Sequence, residues 1–353
     1  MSSYPRQLDT NPPMDLPADR SASLTAQAGP ARLVFLLGAP RSGTTWLAKL
    51  FDSHPRVLYR NEPDSVLHEP RVPLLCRPED IAQYRAIAHD YIERLLQIRT
   101  LKTSGSLPVF AKDFTLPLTD PLRRLWIYAL HLAAAMPAGK SLAERLPIPD
   151  LRRPGTNPTV VMKSVNARGL ARLFLEAMPE CRLVFILRHP CGQIGSVVRG
   201  LASGVFAAPD RAEVLATAQA QQLGLTPERF AALEPVEQWA WHWAILNQKA
   251  HDELASSPRV KFVIYEDLAS NPQARVREMF DFCGLGWPAQ TAGFLAQSTT
   301  YTGKSGYYGV KRDSLAAAQK WRGEVPEDAQ RRIIAIAREV PVGRLLTDAA
   351  PPA

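Results

Sequence analysis

Residues 38–45 read Gly-Ala-Pro-Arg-Ser-Gly-Thr-Thr, between an apolar run (33–37, LVFLL) and a stretch that begins Trp46-Leu-Ala-Lys-Leu-Phe. A buried strand running into a glycine turn and then a helix start is the setting in which backbone N–H groups converge on a phosphate. Gly38 and Gly43 permit close backbone approach, while Ser42, Thr44 and Thr45 add hydroxyls near the positive helix end. The spacing is that of a Walker A loop, G-x-x-x-x-G-K-S/T, with Thr44 where the lysine belongs. Without that lysine, phosphoryl transfer from a triphosphate loses a principal charge clamp. A cation stands inside the loop instead, at Arg41. It suits a group leaving from the first phosphate better than it suits a triphosphate.

Three further sites carry chemistry. A second apolar run (183–187, LVFIL) ends in Arg188-His189-Pro190, with Ser196 eight residues beyond Arg188. A guanidinium at a strand's carboxyl end can meet a hydroxyl on the following helix, in the crevice where α/β sheets bind ligands. A third run (159–162, TVVM) ends at Lys163, and the short run VLYR leads to Asn61-Glu62-Pro63, with Glu62 21 residues after Arg41. The fourth, 260–265 (VKFVIY), is followed by Glu266-Asp267-Leu268. Read alone, that acid pair could hold Mg²⁺ in a kinase or nucleotide hydrolase, a reading weakened by the missing loop lysine.

The segment Pro40 to Trp46 resembles the 5′-phosphosulfate loop of sulfotransferases that use 3′-phosphoadenosine 5′-phosphosulfate (PAPS). Arg41 makes it similar to the tyrosylprotein and carbohydrate types, since soluble members usually carry lysine there. The resemblance implies that Arg41, Ser42, Gly43, Thr44 and Thr45 hold the 5′-phosphosulfate, and that Arg188 and Ser196 bind the 3′-phosphate. One adenosine ligand is then gripped at two anionic ends. It also implies adenine contacts from Trp46 and Tyr265, and a Lys163 that approaches the transferring sulfuryl group. Arg41 and Lys163 would stabilise charge on the bridging oxygen as the S–O bond breaks. The product is 3′-phosphoadenosine 5′-phosphate (PAP), and no metal is required.

The chain also departs from the family's patterns. Cytosolic members place a histidine base two residues after the strand-end lysine, where this chain has Val165. Glu62 is the preferred base, at the offset from the loop arginine that the tyrosylprotein enzymes show. His68, Glu69 and Asp113 stand in reserve. The stretch 301–312 (YTGKSGYYGVKR) lies where related enzymes carry basic groups over the 3′-phosphate, which assigns Lys311 and Arg312, and more weakly Lys304, to cofactor binding. The acceptor is a hydroxyl or amine on a small molecule, carbohydrate or secondary metabolite, its pocket shaped by loops 63–78, 99–120 and 137–158. A kinase, or a non-catalytic nucleotide-binding protein on the same scaffold, is the alternative.

Such groups need a rigid frame. The four apolar runs, with a weaker one at 56–59, alternate with helical stretches at 45–52, 79–99, 121–136, 167–178, 192–202 and 236–254. That alternation predicts a P-loop-like three-layer α/β/α fold around a central parallel sheet, one domain with helical and loop insertions. Its expected span is 31–345, after an N-terminal arm (1–30) and before a frayed tail (346–353). The 353 residues carry 42 Lys+Arg against 34 Asp+Glu, a formal charge of +8. The basic residues are dispersed and form no nucleic-acid-binding motif, so a small polyanion is the better partner. No run approaches the roughly 18 apolar residues of a membrane span. Four scattered cysteines suit a reducing, cytoplasmic setting.

Overall fold

The computed structural model describes residues 32–202, 211–299 and 314–348. Its centre is a parallel sheet of β1 (Leu33–Gly38), β2 (Val57–Asn61), β3 (Thr159–Ser164), β4 (Cys181–Leu187) and β5 (Val260–Ile264). The strand order is β2-β3-β1-β4-β5, so all five expected runs pair and β1 lies in the middle. Every residue of β1 is buried. Leu33, Phe35 and Leu37 enter one core with Phe174 and Trp243, while Val34 and Leu36 enter another with Trp46, Phe51 and Phe280. A central parallel strand covered on both faces must be apolar throughout, which is why LVFLL shows no alternation. Helices on both sides complete the three layers.

Helix α1 (Thr44–Asp52) follows β1 directly. Helices α2 (Ile81–Leu96), α3 (Thr119–Ala135) and α4 (Lys140–Arg145) occupy the long connection from β2 to β3. Helix α5 (Ala171–Ala177) joins β3 to β4, and α6 (Pro190–Ala202) and α7 (Pro235–Leu254) lie between β4 and β5. After β5 come α8 (Tyr265–Ser270), α9 (Pro272–Cys283), α10 (Ala289–Thr299), α11 (Ser314–Gln319), α12 (Trp321–Glu324), α13 (Glu327–Ala337) and α14 (Pro341–Asp348).

Four details differ from the sequence reading. Tyr265 does not end β5 but opens α8, whose first turn carries Glu266 and Asp267, the charge sign a helix start favours. The 137–158 stretch is not wholly loop, because α4 buries Ala143 against Ile127 and Leu130 of α3. Helix α10 already covers the beginning of the loop expected from residue 298. Residues 346–348 are not frayed: they finish α14, where Val342 and Leu346 are buried and the Gln248 side chain accepts the Val342 N–H at 2.9 Å.

One buried ion pair fastens the insertion to the sheet. Arg60 of β2 is fully buried and donates to both carboxylate oxygens of Asp150, at 2.8 and 2.7 Å, and to the Leu96 carbonyl at 2.9 Å. It sits two residues before Glu62, so the end of β2 is held from both sides. Removing one partner strands a buried charge. Asp150→Ala is expected to lower the unfolding free energy by about 3–5 kcal/mol, read by urea titration; a change under about 1 kcal/mol would show that the pair does not anchor β2.

Candidate active site

The turn between β1 and α1 is built around conformations that few side chains tolerate. Gly43 has φ of 95° and Arg41 has φ of 70°, both left-handed. A Cβ on Gly43 would lie 2.4 Å from a ring carbon of Tyr265, and one on Gly38 would lie 2.5 Å from the Ile186 side chain. The bare backbone thus lets the turn nest against β4 and α8. Ser42 is buried, and its hydroxyl donates to the Ala39 carbonyl at 2.7 Å, closing the turn from within. Thr44 and Thr45 begin α1, while Trp46 points into the core and donates from its indole to the Ser298 hydroxyl at 3.1 Å.

Arg188 leaves the end of β4 and binds the turn. It donates to the Arg41 carbonyl at 2.8 Å and to the Ala317 carbonyl of α11 at 3.0 Å, with its guanidinium 4.5 Å above the Tyr265 ring. Ser196, on α6, is reached by Arg41, whose Nε donates to its hydroxyl at 2.9 Å. The two groups expected at opposite ends of a ligand are therefore hydrogen-bonded to each other here. Tyr265 is buried and meets Trp46 edge-on, with ring centroids 6.3 Å apart. Glu266 accepts the His189 N–H at 3.2 Å and lies 3.9 Å from Arg188, while Asp267 pairs with Arg275 at 2.8 Å. Burial raises the Glu266 carboxyl, although Arg188 opposes this. Both acids of the Mg²⁺ reading are thus engaged elsewhere.

A second cluster sits across β1, at the carboxyl ends of β2 and β3. The Glu62 N–H donates to the Lys163 carbonyl at 2.8 Å, continuing the strand pairing by one residue. Their side chains form an ion pair, with Lys163 buried and Glu62 partly open. Glu62 has φ of 45°, a left-handed bend that precedes the short turn Pro63–Ser65. Beside them the Ser164 hydroxyl donates to Asp64 at 2.6 Å, and burial raises the Asp64 carboxyl. Asp64 and Ser164 lacked any sequence signal, since neither stands in a motif and only the turn brings them together.

The reserve residues lie apart. Glu69 is clamped by Arg71 and Arg94, whose hydrogen bonds hold its carboxyl at about 2, so it is a poor proton acceptor. His68 and Asp113 are exposed. Lys304, Lys311 and Arg312 lie outside the described residues. A buried network also escaped the sequence reading: Lys49 donates to Asp52 at 2.7 Å, and Lys112 does so at 3.0 Å. Lys49 also reaches the Ser106 and Pro108 carbonyls, tying the first insertion to α1.

Buried His54 and half-buried His189 give the fold a pH dependence, beside buried His251, which burial also lowers. His189 stacks on Trp321 with centroids 4.3 Å apart, and burial, with Arg322 and Arg188 nearby, lowers it to about 4. His54 is likewise lowered to about 4, by burial and Lys112. Both stay neutral in the fold, whereas an unfolded histidine protonates near 6.5. Unfolding therefore takes up protons between about pH 6.5 and 4, and stability falls as pH drops through that window. His189→Gln and His54→Gln together should flatten this slope in pH-dependent urea titrations. An unchanged slope would show that neither ring is held neutral.

Comparison with known proteins follows the same lines. The profile of the sulfotransferase family matches residues 33–289. Carbohydrate sulfotransferase 5 of Mus musculus is 33% identical over 79 residues, so the match spans 21% of this chain and 20% of that protein. Among solved structures, the sulfotransferase domain from the curacin biosynthetic pathway is similar with a TM-score of 0.43 and 17% identity, covering 89% of this chain and 97% of that one. The mouse sulfotransferase SULT7A1, complexed with PAP, gives 0.42 and 13% over 93% of this chain and 92% of its own. The profile match runs from the first residue of β1 to the first residue of α10 and so takes in the whole sheet; the chain belongs to the sulfotransferase family.

Proposed function

We propose that this protein transfers a sulfuryl group from PAPS, by in-line displacement, to a hydroxyl or amine on a small molecule, carbohydrate or secondary metabolite. One observation carries the reading. A phosphate-type turn, two arginines and a lysine–glutamate pair all lie at the carboxyl edge of β1 to β4. The donor set suits a ligand with two anionic groups: turn amides and hydroxyls from Ser42 to Thr45 for one, and Arg188 with Ser196 for the other. PAPS supplies, when bound, an activated sulfuryl group on a 5′-phosphate. Trp46 and Tyr265 would border its adenine, and Lys311 and Arg312 would approach its 3′-phosphate.

Each side chain then has a task. Arg41 and Lys163 place positive charge where the leaving oxygen becomes anionic, which lowers the barrier most if they are already oriented. Glu62 accepts the proton of the acceptor. Its ion pair with Lys163 brings base and cation to the same end of the sheet. Arg41 has to leave Ser196 to serve the sulfuryl end, and that exchange would free Ser196 for the 3′-phosphate. Val165 in place of a histidine supports a glutamate base, as in the tyrosylprotein type. We assign the activity to one domain, which begins near residue 31 and runs to the end of α14 at Asp348. No described helix is long and apolar enough to cross a membrane. Cys76, Cys181, Cys191 and Cys283 are free thiols, which suits a cytoplasmic location.

Calorimetric titration tests the cofactor. PAP should bind more tightly than ATP or AMP, and Arg188→Ala should weaken PAP far more than AMP. Equal losses for the two ligands would reject the 3′-phosphate assignment. Transfer from labelled PAPS tests the base: Glu62→Gln should cut turnover by about 10²–10⁴-fold with PAP affinity kept. A wild-type rate at every pH would remove Glu62 from the mechanism.

A further inference from the structure

Helix α3 is apolar on the side that faces water. Its inner face packs Ile127 and Leu130 against Leu101, Ala143 and Ile148. On the outer face Leu118, Leu122, Leu125, Leu132 and Met136 are 83%, 62%, 65%, 69% and 53% exposed, and Ala129 is exposed between them. The spacing from 118 to 136 alternates four and three residues. At about 100° per residue these six positions stay within roughly 40° of one line. An apolar period of 3.5 residues is the seam of a two-stranded coiled coil, in which each side chain fits between those of a second helix.

Size and charge narrow the partner. With the flanking Trp126 and Tyr128, themselves 38% and 50% exposed, the face offers on the order of 1,000 Å² of apolar surface. The largest patch on a typical monomer is about 300–600 Å², and a stable interface takes about 800 Å² from each partner. The charges on α3 lie on its inner side, where Arg123 and Arg124 pair with Asp120 at 3.2 and 3.1 Å. The seam therefore has no flanking charge to select a different chain and none to repel a copy of itself. A helix built for a lipid surface would carry lysines and arginines on its polar face, whereas here that face is packed into the protein.

The seam is also symmetric about residue 127. Laid antiparallel on its own copy, the helix sets Leu118 opposite Met136, Leu122 opposite Leu132 and Leu125 opposite Ala129. A large residue meets a small one at the centre, and each contact occurs twice, as a two-fold interface requires. We infer that the protein is a homodimer joined by two antiparallel copies of α3. This is independent of the transferase reading, because it uses none of the residues assigned to the donor or to the reaction.

Sedimentation equilibrium of the full chain across the micromolar range tests it. The wild type should be dimeric. Leu125→Lys with Leu132→Lys should weaken association by at least about 100-fold, because charges would enter an apolar seam, with circular dichroism and thermal unfolding unchanged. The paired substitutions Leu118→Cys and Met136→Cys should give a disulfide-linked dimer on oxidation, whereas Leu118→Cys alone should not. A monomeric wild type overturns the inference, as does a lysine variant that stays dimeric. Crosslinking by Leu118→Cys alone would replace the antiparallel arrangement with a parallel one. Co-sedimentation of monomeric wild type with phosphatidylglycerol vesicles, lost in the lysine variant, would assign the face to a membrane instead.

Discussion

The hydrogen bond from Arg188 to the Arg41 carbonyl holds the rest of the site in place. It joins the end of β4 to a turn whose residues 41 and 43 are both left-handed, and a second bond joins the same guanidinium to α11. Beneath it lies the Tyr265 ring, and beneath that ring the bare Gly43. Turn, strand end and two helix starts are thereby stacked within one cation's reach. A backbone conformation that costs energy persists only when its surroundings over-determine it. Here the surroundings are a guanidinium, an aromatic ring and the side chain of Ile186.

The described cations that hold the insertion and those at the turn differ in what they face. Arg60, Lys49, Lys112, Arg71 and Arg94 face carboxylates; the first three fasten the long insertion after β2 to the sheet and to α1, and the last two hold Glu69 within the insertion. Arg41 and Arg188 hydrogen-bond to a hydroxyl and backbone carbonyls, with Glu266 3.9 Å from Arg188, and such neutral acceptors can be replaced by an incoming phosphate or sulfate oxygen at lower cost than a carboxylate. Lys163 stands between the groups, paired with the one carboxylate proposed to take part in the reaction. A formal charge of +8 conveys nothing of this division.

The motifs were legible because each is local. A glycine turn between a strand and a helix has one useful geometry, and Arg188 and Ser196 stand at a strand end and on the helix that directly follows it. The three inner strands were legible because burial on both faces leaves an apolar run, whereas the edge strands β2 and β5 carry Arg60 and Lys261. Less could be read where two conformations compete for the same residues. Tyr265 belonged as well to the end of β5 as to the start of α8, and the Glu-Asp that follows it decided for the helix. Residues 346–348 read as part of a frayed tail because the contact that orders their helix comes from Gln248, about a hundred residues earlier.

Sequence by itself determined the layered α/β class, the glycine turn between β1 and α1, and the positions of the two arginines and the strand-end lysine, since short-range steric and hydrogen-bonding rules act on neighbouring residues. Tertiary structure alone decided that Glu62 and Lys163 are partners, that Asp64 and Ser164 join them, and that Arg41 rests on Ser196. Those pairs are about 100 or more residues apart along the chain. They meet because a parallel sheet brings the carboxyl ends of strands from distant parts of the chain to one edge, and no local pattern records which end becomes the neighbour of which.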